Sequence, residues 1–294
     1  MPEKSFIARI KDGERLIADG ATGTTLISRG LPSGSTSETW VMEQPQEIIR
    51  LHKDFISAGA EIILTSTFSA TSIRMQGTPL KGKEDLVNRR AVELAHQASA
   101  GTQVYIAGSL GPVGQLLKPY GPLEPEAARD AYAGQARSLS EAGVDLFVVE
   151  TQFDLGEVKA AIQGVRSVTG IPLVVSLSYD RGHRTMMGVS PTLSAKELEG
   201  LPVDVIGINC GRSLEENLQN LVELRQNTSK PIWFKPNAGL PRVDGTGKTF
   251  YETTPEIMAS LVPFWLEVGA QILGGCCGTS PEHLQQISAR IKLL

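Results

Sequence analysis

The residues of this sequence that are best suited to carry out chemistry are its three cysteines. Cys276 and Cys277 are adjacent in the glycine-rich segment 274–279, and Cys210 directly follows the apolar run 205–209. Neighbouring cysteines seldom pair with each other because the ring they would close is strained, whereas flanking glycines let the backbone turn both sulfurs toward one point. Three converging thiolates suit a borderline metal, with zinc as the first choice. The alternative is three buried cysteines that act as small apolar side chains, but their shared position at the ends of apolar runs favours the metal.

The elements that must position these cysteines form a repeating pattern. Apolar runs alternate with amphipathic helical stretches, and the runs occupy residues 15–18, 61–64, 103–108, 145–149, 172–177, 203–209, 231–235 and 270–273. Continuously apolar runs are typical of parallel strands that are buried on both faces. Eight such units predict an α/β fold, a (β/α)8 TIM barrel, as a single domain over residues 1–294. The alternative is a doubly wound open sheet, but the glycines of segment 19–23 lack the spacing of its phosphate-binding fingerprint.

Polar residues follow most of the predicted strands. In a (β/α)8 barrel the chemistry gathers at the C-terminal ends of the strands. The candidates at these ends, besides the cysteines, are Asp19, Gly20, Ala21, Thr22, Thr65, Ser66, Thr67, Ser109, Glu150, Asn209 and Asn237. Three sulfur ligands would leave the fourth position of a zinc ion open for an exchangeable ligand, as in catalytic sites.

The two carboxylates of this set would suit a cationic group on that ligand. Asp19 and Glu150 would hold an ammonium, and the amides of the turn 21–25 would hold a carboxylate. The alternatives to ligand binding are that Asp19 only stabilises a turn and that Glu150 only forms a salt bridge. Likewise, Asn237 would suit a left-handed turn, and the hydroxyls of residues 65–67 would suit capping of the backbone. No histidine is predicted as a ligand.

Composition and charge exclude several classes of protein. The chain has 294 residues, a formal net charge of −4 and 41% hydrophobic residues, which is ordinary for a globular protein. The mild acidity gives no reason to expect nucleic acid or an anionic membrane as a partner, and no apolar stretch reaches the length of a membrane span. An odd number of cysteines without a secretion signal predicts a reducing compartment, and hence a cytoplasmic location.

Four motifs resemble the homocysteine S-methyltransferase family. They are the segments 19–24 (DGATGT), 65–71 (TSTFSAT), 207–210 (GINC) and 274–279 (GGCCGT). The sequence is most similar to the homocysteine-binding module of cobalamin-dependent methionine synthase, and the likeness extends from about residue 16 to residue 284. It implies a (β/α)8 barrel in which Cys210, Cys276 and Cys277 bind zinc.

The resemblance also implies roles for the other candidates. Asp19 and Glu150 would contact the amino group of homocysteine, and the turn after Asp19 would receive its carboxylate. Asn237 would occupy the open zinc position before the substrate arrives. Residues 20–22, 65–67 and Asn209 complete the expected substrate-binding set.

The expected activity is zinc-dependent transfer of a methyl group to the thiol of homocysteine, which gives methionine. Because the chain ends after the barrel, we expect the methyl donor to come from outside, most readily from a separate methyl-corrinoid protein. The alternatives are a sulfonium donor such as S-methylmethionine, another thiol acceptor within a corrinoid demethylation system, a non-catalytic zinc- or thiol-binding subunit, and a redox role for the cysteine pair.

Overall fold

The barrel predicted from the eight apolar runs is present in the structure. A computed structural model describes residues 2–32, 34–245 and 249–294. The strands are β1 (Leu16–Ile17), β2 (Ile62–Leu64), β3 (Tyr105–Leu110), β4 (Leu146–Gln152), β5 (Leu173–Leu177), β6 (Val205–Cys210), β7 (Ile232–Pro236), β8 (Pro241–Val243), β9 (Thr249–Tyr251) and β10 (Ala270–Leu273). Within the described ranges, β1 to β7 and β10 form one parallel eight-stranded sheet in the order β1-β10-β7-β6-β5-β4-β3-β2.

The sheet closes on itself between its first and second strands. Ala18 forms a parallel bridge with Ile62, and the amide of Asp19 donates to the Ile62 carbonyl at 2.9 Å. The fold is therefore a single-domain (β/α)8 barrel, as the sequence predicts.

Helices surround the barrel and connect its strands. They are α1 (Phe6–Lys11), α2 (Thr22–Ser28), α3 (Ser37–Glu43), α4 (Pro45–Ser57), α5 (Glu84–Ser99), α6 (Pro125–Ala142), α7 (Leu155–Val168), α8 (Pro191–Glu199), α9 (Leu214–Arg225), α10 (Pro255–Val268) and α11 (Pro281–Lys292), with a short 3-10 turn at Arg74–Gly77. Several begin with proline in their first turn, where its missing N–H lacks an intrahelical partner in any case. No helix among the described residues is long and apolar enough to cross a membrane.

Alternate strand residues face two separate apolar cores. Leu16, Ile62 and Val148 belong to a cluster inside the barrel, whereas their neighbours Ile17 and Ile63 pack in a larger cluster with the surrounding helices. Because both faces of each strand are buried, the strands have continuously apolar sequences.

A few local elements differ from the sequence prediction. Helices α1, α2 and α3 and the antiparallel hairpin β8–β9 were not predicted. Helix α8 begins with a recognisable sequence signal: Ser190 caps its N-terminus by accepting from the Leu193 amide at 3.2 Å, and Pro191 follows. The unpredicted α2 and α3 matter most, because both lie beside the cavity described below.

Candidate active site

The three cysteine sulfurs lie together at the C-terminal end of the barrel. Cys210 is the last residue of β6, and Cys276 and Cys277 follow β10. The Sγ atoms of Cys210 and Cys276 are 3.0 Å apart, and all three Sγ atoms lie within 4.8 Å of one another. None of the three forms a disulfide. The thiols that stand 66 residues apart in the chain are thus within coordination distance of one ion.

Backbone hydrogen bonds between β6, β7 and β10 hold the cysteines in place. The Cys276 amide donates to the Pro236 carbonyl at 2.9 Å, and the amides of Asn237 and Ala238 donate to the carbonyls of Cys210 and Cys277. Cys210 adopts a φ of 62°, a left-handed conformation that is uncommon for residues other than glycine. The position of its sulfur therefore depends on the surrounding contacts.

The thiols share their protons. Hydrogen bonds with Cys276 and Cys277, together with burial, raise the pKa of Cys210 well above its ordinary value. Hydrogen bonds with Cys210 and Cys276 lower the pKa of Cys277 to about 3. The cluster thus favours one thiolate at neutral pH, and a bound cation would stabilise the ionised form of all three sulfurs.

Asn237 has an unused oxygen beside this cluster. Its Nδ2 donates to the Gly211 carbonyl at 2.7 Å, whereas its Oδ1 is buried and has no hydrogen-bond partner within the described residues. A buried carbonyl oxygen without a partner is unfavourable unless another group binds it. Three sulfurs and one such oxygen make a donor set that fits zinc.

Asn209 connects the cysteines to the strands beside them. Its Oδ1 accepts from the Thr151 amide at 2.8 Å and from the Ser176 hydroxyl at 2.7 Å. Its Nδ2 donates to the Thr151 hydroxyl at 2.7 Å and lies 3.4 Å from the Cys210 sulfur. Thr151 also has a positive φ, 58°, so Asn209 stabilises two residues in strained conformations.

Asp19 forms an ion pair inside the barrel. Its Oδ1 accepts from Lys235 Nζ at 2.5 Å, and its Oδ2 accepts from the Leu64 amide at 2.8 Å. The two side chains are only 2% and 3% exposed. Although burial opposes it, the carboxylates of Asp19 and Glu150 raise the pKa of Lys235 above its ordinary value. A carboxylate has about four lone-pair sites, so Asp19 retains capacity for a further donor.

Glu150 presents a freer carboxylate to the same space. Its Oε1 accepts from the Ser109 hydroxyl at 2.5 Å, and its Oε2 has no hydrogen-bond partner within the described ranges. Burial raises the pKa of Glu150 to about 7, against the opposing charge of Lys235. A cationic ligand would favour its ionised form.

The hydroxyls after β2 divide into two groups. Thr65 and Thr67 bond to each other at 2.7 Å, and Thr67 also donates to the Ser109 carbonyl. The Ser66 hydroxyl is buried without a partner among the described residues. Of the three, Ser66 is therefore best placed to bind a ligand.

The turn after Asp19 is shorter than the sequence suggests. Helix α2 begins at Thr22 without a side-chain cap, and the Ala21 amide already donates to the Thr279 carbonyl at 3.1 Å. The first residues of α2, Thr22, Gly23 and Thr24, line the cavity.

These residues surround one cavity of about 370 Å³. The predicted site residues in its wall are Asp19, Gly20, Ala21, Thr22, Thr65, Ser66, Ser109, Glu150, Cys210, Cys276 and Cys277. Thr67, Asn209 and Asn237 are not in the wall, but each is hydrogen-bonded to a residue that is.

The structure also adds residues that the sequence reasoning did not select. Lys235, Glu38 and Arg74 line the cavity. Only Lys235 could have been found from the sequence: it lies inside an apolar strand run, and a buried charge requires a partner. Glu38 and Arg74 gave no such signal, since each lies in a polar stretch.

Comparison with known proteins identifies the family of this chain. Residues 16–291 match the family model described as homocysteine S-methyltransferase. The chain is 29% identical to methionine synthase of Mycobacterium leprae and 28% identical to that of Mycobacterium tuberculosis, over 94% of this chain. It spans about a quarter (24%) of the length of these two relatives.

The fold has a similar counterpart among solved structures. The metallated form of the homocysteine methyltransferase MmuM from Escherichia coli is 26% identical, with a TM-score of 0.81, and the match covers 96% of this chain and 98% of that one. Its apo form matches with a TM-score of 0.74. The family and these relatives are methyltransferases, and this chain belongs to the homocysteine S-methyltransferase family.

Proposed function

We propose that residues 1–294 form a homocysteine-binding domain that transfers a methyl group to the thiol of homocysteine, with zinc as cofactor and methionine as product. The convergence of three thiols on a cavity that also contains Asp19 and Glu150 carries this proposal. The membership of the chain in the homocysteine S-methyltransferase family supports the choice of substrate.

The residues that would hold zinc are Cys210, Cys276 and Cys277, with the buried Oδ1 of Asn237 at the exchangeable position. When bound, the ion would supply the positive charge that lowers the pKa of the substrate thiol and favours its thiolate at neutral pH. The protein must then orient the amino-acid end of homocysteine.

Glu150 and Asp19 are assigned to the substrate ammonium. Glu150 Oε2 is unoccupied by hydrogen bonds within the described residues, and Lys235 already balances much of the charge of Asp19. Glu150 is therefore the main ammonium partner, and Asp19 a secondary one. The substrate carboxylate is assigned to the amides near Thr22 and to the Ser66 hydroxyl.

Methyl transfer itself needs no base on the protein. The substrate sulfur forms a new bond to the methyl carbon while the bond between that carbon and the donor breaks, and the donor keeps the electron pair. The cavity wall supplies the orientation that such an in-line displacement requires.

The two kinds of relative favour different methyl donors. Likeness to methionine synthase favours a separate methyl-corrinoid protein. Likeness to MmuM over 98% of that chain favours a small donor that enters the cavity, such as a sulfonium. Three reduced thiols suit the cytoplasm as the location.

Zinc content and homocysteine binding together test the proposal. We expect about one zinc per chain by elemental analysis, since three sulfur ligands and one exchangeable position complete a tetrahedral site. Cys210→Ala should lose both the zinc and homocysteine binding measured by calorimetry. Ser178→Ala, at the end of β5 and outside the cavity, is the control and should retain both. The proposal would be contradicted if the wild-type protein contained no zinc and bound no homocysteine, even after zinc was added back under reducing conditions.

A further inference from the structure

The hydrogen bonds between the backbones of β2 and β3 stop just before the cavity. The last residues that pair in register are Leu64 and Ala107, and the Thr65 amide still donates to the Ala107 carbonyl at 2.9 Å. Strand β2 ends at Leu64, whereas β3 continues to Leu110. The amide and the carbonyl of Ser109 therefore need partners other than the backbone of β2.

Three side chains provide those partners. The Ser109 amide donates to the Thr65 hydroxyl at 3.1 Å, and the Ser109 carbonyl accepts from the Thr67 hydroxyl at 2.8 Å. The third side chain is Gln135 of α6, whose Nε2 donates to the Thr67 carbonyl at 2.7 Å and to the Ser109 carbonyl at 3.3 Å. One amide group thus joins the backbone that follows β2 to the backbone of β3.

The nitrogen of Gln135 has partners, whereas its oxygen has none. The side chain is 3% exposed, and its Nε2 also donates to Asn88 Oδ1 at 3.2 Å. Its Oε1 is buried without a hydrogen-bond partner among the described residues. A buried oxygen without a partner costs about 1–3 kcal/mol, so an apolar side chain of the same size would serve packing alone at least as well. The donor nitrogen is therefore what a glutamine adds at this position.

The two carbonyls that Gln135 joins belong to the backbone that carries the groups assigned to homocysteine. Thr67 directly follows Ser66, whose buried hydroxyl is assigned to the substrate carboxylate. Ser109 donates through its own hydroxyl to Glu150, which is assigned to the substrate ammonium. Gln135 itself does not line the cavity. It can therefore act on the substrate only through these neighbours.

We propose that Gln135 is a positioning residue for the amino-acid end of homocysteine. By joining the backbone after β2 to that of β3, it fixes the spacing between the Ser66 hydroxyl and the Glu150 carboxylate. One carbon of an α-amino acid bears both the carboxylate and the ammonium, so the groups that bind them must keep a fixed separation. The thiols lie at the ends of β6 and β10 and depend on other contacts. This inference rests on the proposed function, which supplies the ligand.

Calorimetric titration of four thiols into the zinc-loaded full-length protein tests this role. The thiols are homocysteine, 4-mercaptobutanoate (which lacks the ammonium), 3-aminopropane-1-thiol (which lacks the carboxylate) and propane-1-thiol (which lacks both). Gln135→Leu should raise the dissociation constant for homocysteine by about 10-fold, the effect of about one hydrogen bond. The dissociation constant for propane-1-thiol and the zinc content should stay unchanged, because that ligand reaches only the thiol end of the cavity.

The thiols that lack one charged group show which contact carries the effect. Gln135→Leu should weaken the binding of both, each by about 3-fold, because each still uses one of the two positioned groups. When Ser66→Ala is already present, Gln135→Leu should cause no further loss for 4-mercaptobutanoate, since the hydroxyl that it positions is gone. A full additional loss in that background would contradict the proposal.

Two further variants control for effects of folding. Gln135→Met removes the same donor but keeps an unbranched side chain of similar length, and it should give the same pattern as Gln135→Leu. Asn220→Leu replaces another buried helix amide, which bonds to His183 and Gly182 away from the cavity. It should bind all four thiols as the wild type does. Urea unfolding verifies that each variant is folded.

Two outcomes with the single Gln135 variants would overturn the positioning role. The first is an unchanged dissociation constant for homocysteine in both of them. The second is an equal loss of affinity for homocysteine and for propane-1-thiol, which would show that the side chain serves the fold or the thiol end as a whole. Failure of the proposed function differs from both, because the zinc-loaded wild type would then bind no homocysteine.

Discussion

At the scale of single residues, Asn209 connects several residues around the thiols. It is fully buried, and it donates to or accepts from Thr151, Ser176 and the Cys210 sulfur. Outer partners of this kind fix the orientation of metal ligands. We therefore expect Asn209 to act on the thiols as a positioning residue.

We predict that Asn209→Ala weakens zinc binding by about 10- to 100-fold, because the Cys210 and Thr151 backbones lose the group that holds their positive φ values. Competition with a chromogenic chelator measures the affinity. Asn220→Ala is the matched control, since Asn220 is also fully buried but bonds to His183 and Gly182 away from the cavity. If both variants bind zinc as the wild type does, Asn209 has no positioning role.

At the scale of elements, helix α4 buries a histidine without partners. Both ring nitrogens of His52 lack hydrogen bonds within the described residues, and burial lowers its pKa from 6.5 to about 4. In the unfolded chain the same side chain takes up a proton near pH 6.5. Lowering the pH through the window between these values therefore favours the unfolded state.

The expected loss of stability from His52 is about 2 kcal/mol at about pH 5. We predict that His52→Leu removes this part of the acid sensitivity, so that its free energy of unfolding falls less than that of the wild type between about pH 7.5 and pH 5. Urea unfolding at the two pH values measures it. His96→Gln, on the exposed face of α5, should behave as the wild type; equal acid sensitivity of His52→Leu would refute the assignment.

At the scale of the whole molecule, the ion pair of Asp19 and Lys235 connects the first strand of the barrel to the seventh. The two residues are 216 positions apart in the chain, and their side chains are almost fully buried. Removing one member of a buried pair leaves the other charge without compensation.

We predict that Lys235→Met lowers the free energy of unfolding by about 3–5 kcal/mol. Lys159→Met, in an exposed pair with Glu197, should lower it by less than about 1 kcal/mol. The double variant Asp19→Asn with Lys235→Met should be more stable than the sum of the single changes implies. Additive effects, measured by urea unfolding, would show that the pair does not couple the two strands.

The sequence alone determined the barrel and the cysteine cluster. Strands buried on both faces must be apolar throughout, so the eight runs can be recognised from the sequence alone. Since parallel strands of a barrel present their C-terminal ends on one rim, Cys210, Cys276 and Cys277 were expected to converge, and their sulfurs do lie within 4.8 Å. The ligand and substrate roles assigned to these residues stay predictions.

Only the tertiary structure decided which polar residues share partners. Asp19 meets Lys235, and Glu38 meets Ser69, through contacts between segments that are distant in the chain. No local pattern encodes such contacts, because hydrophobic periodicity and turn signals report only on near neighbours. The positive φ of Thr151 and Cys210 is hidden for the same reason: residues other than glycine adopt it only when tertiary contacts compensate for the strain.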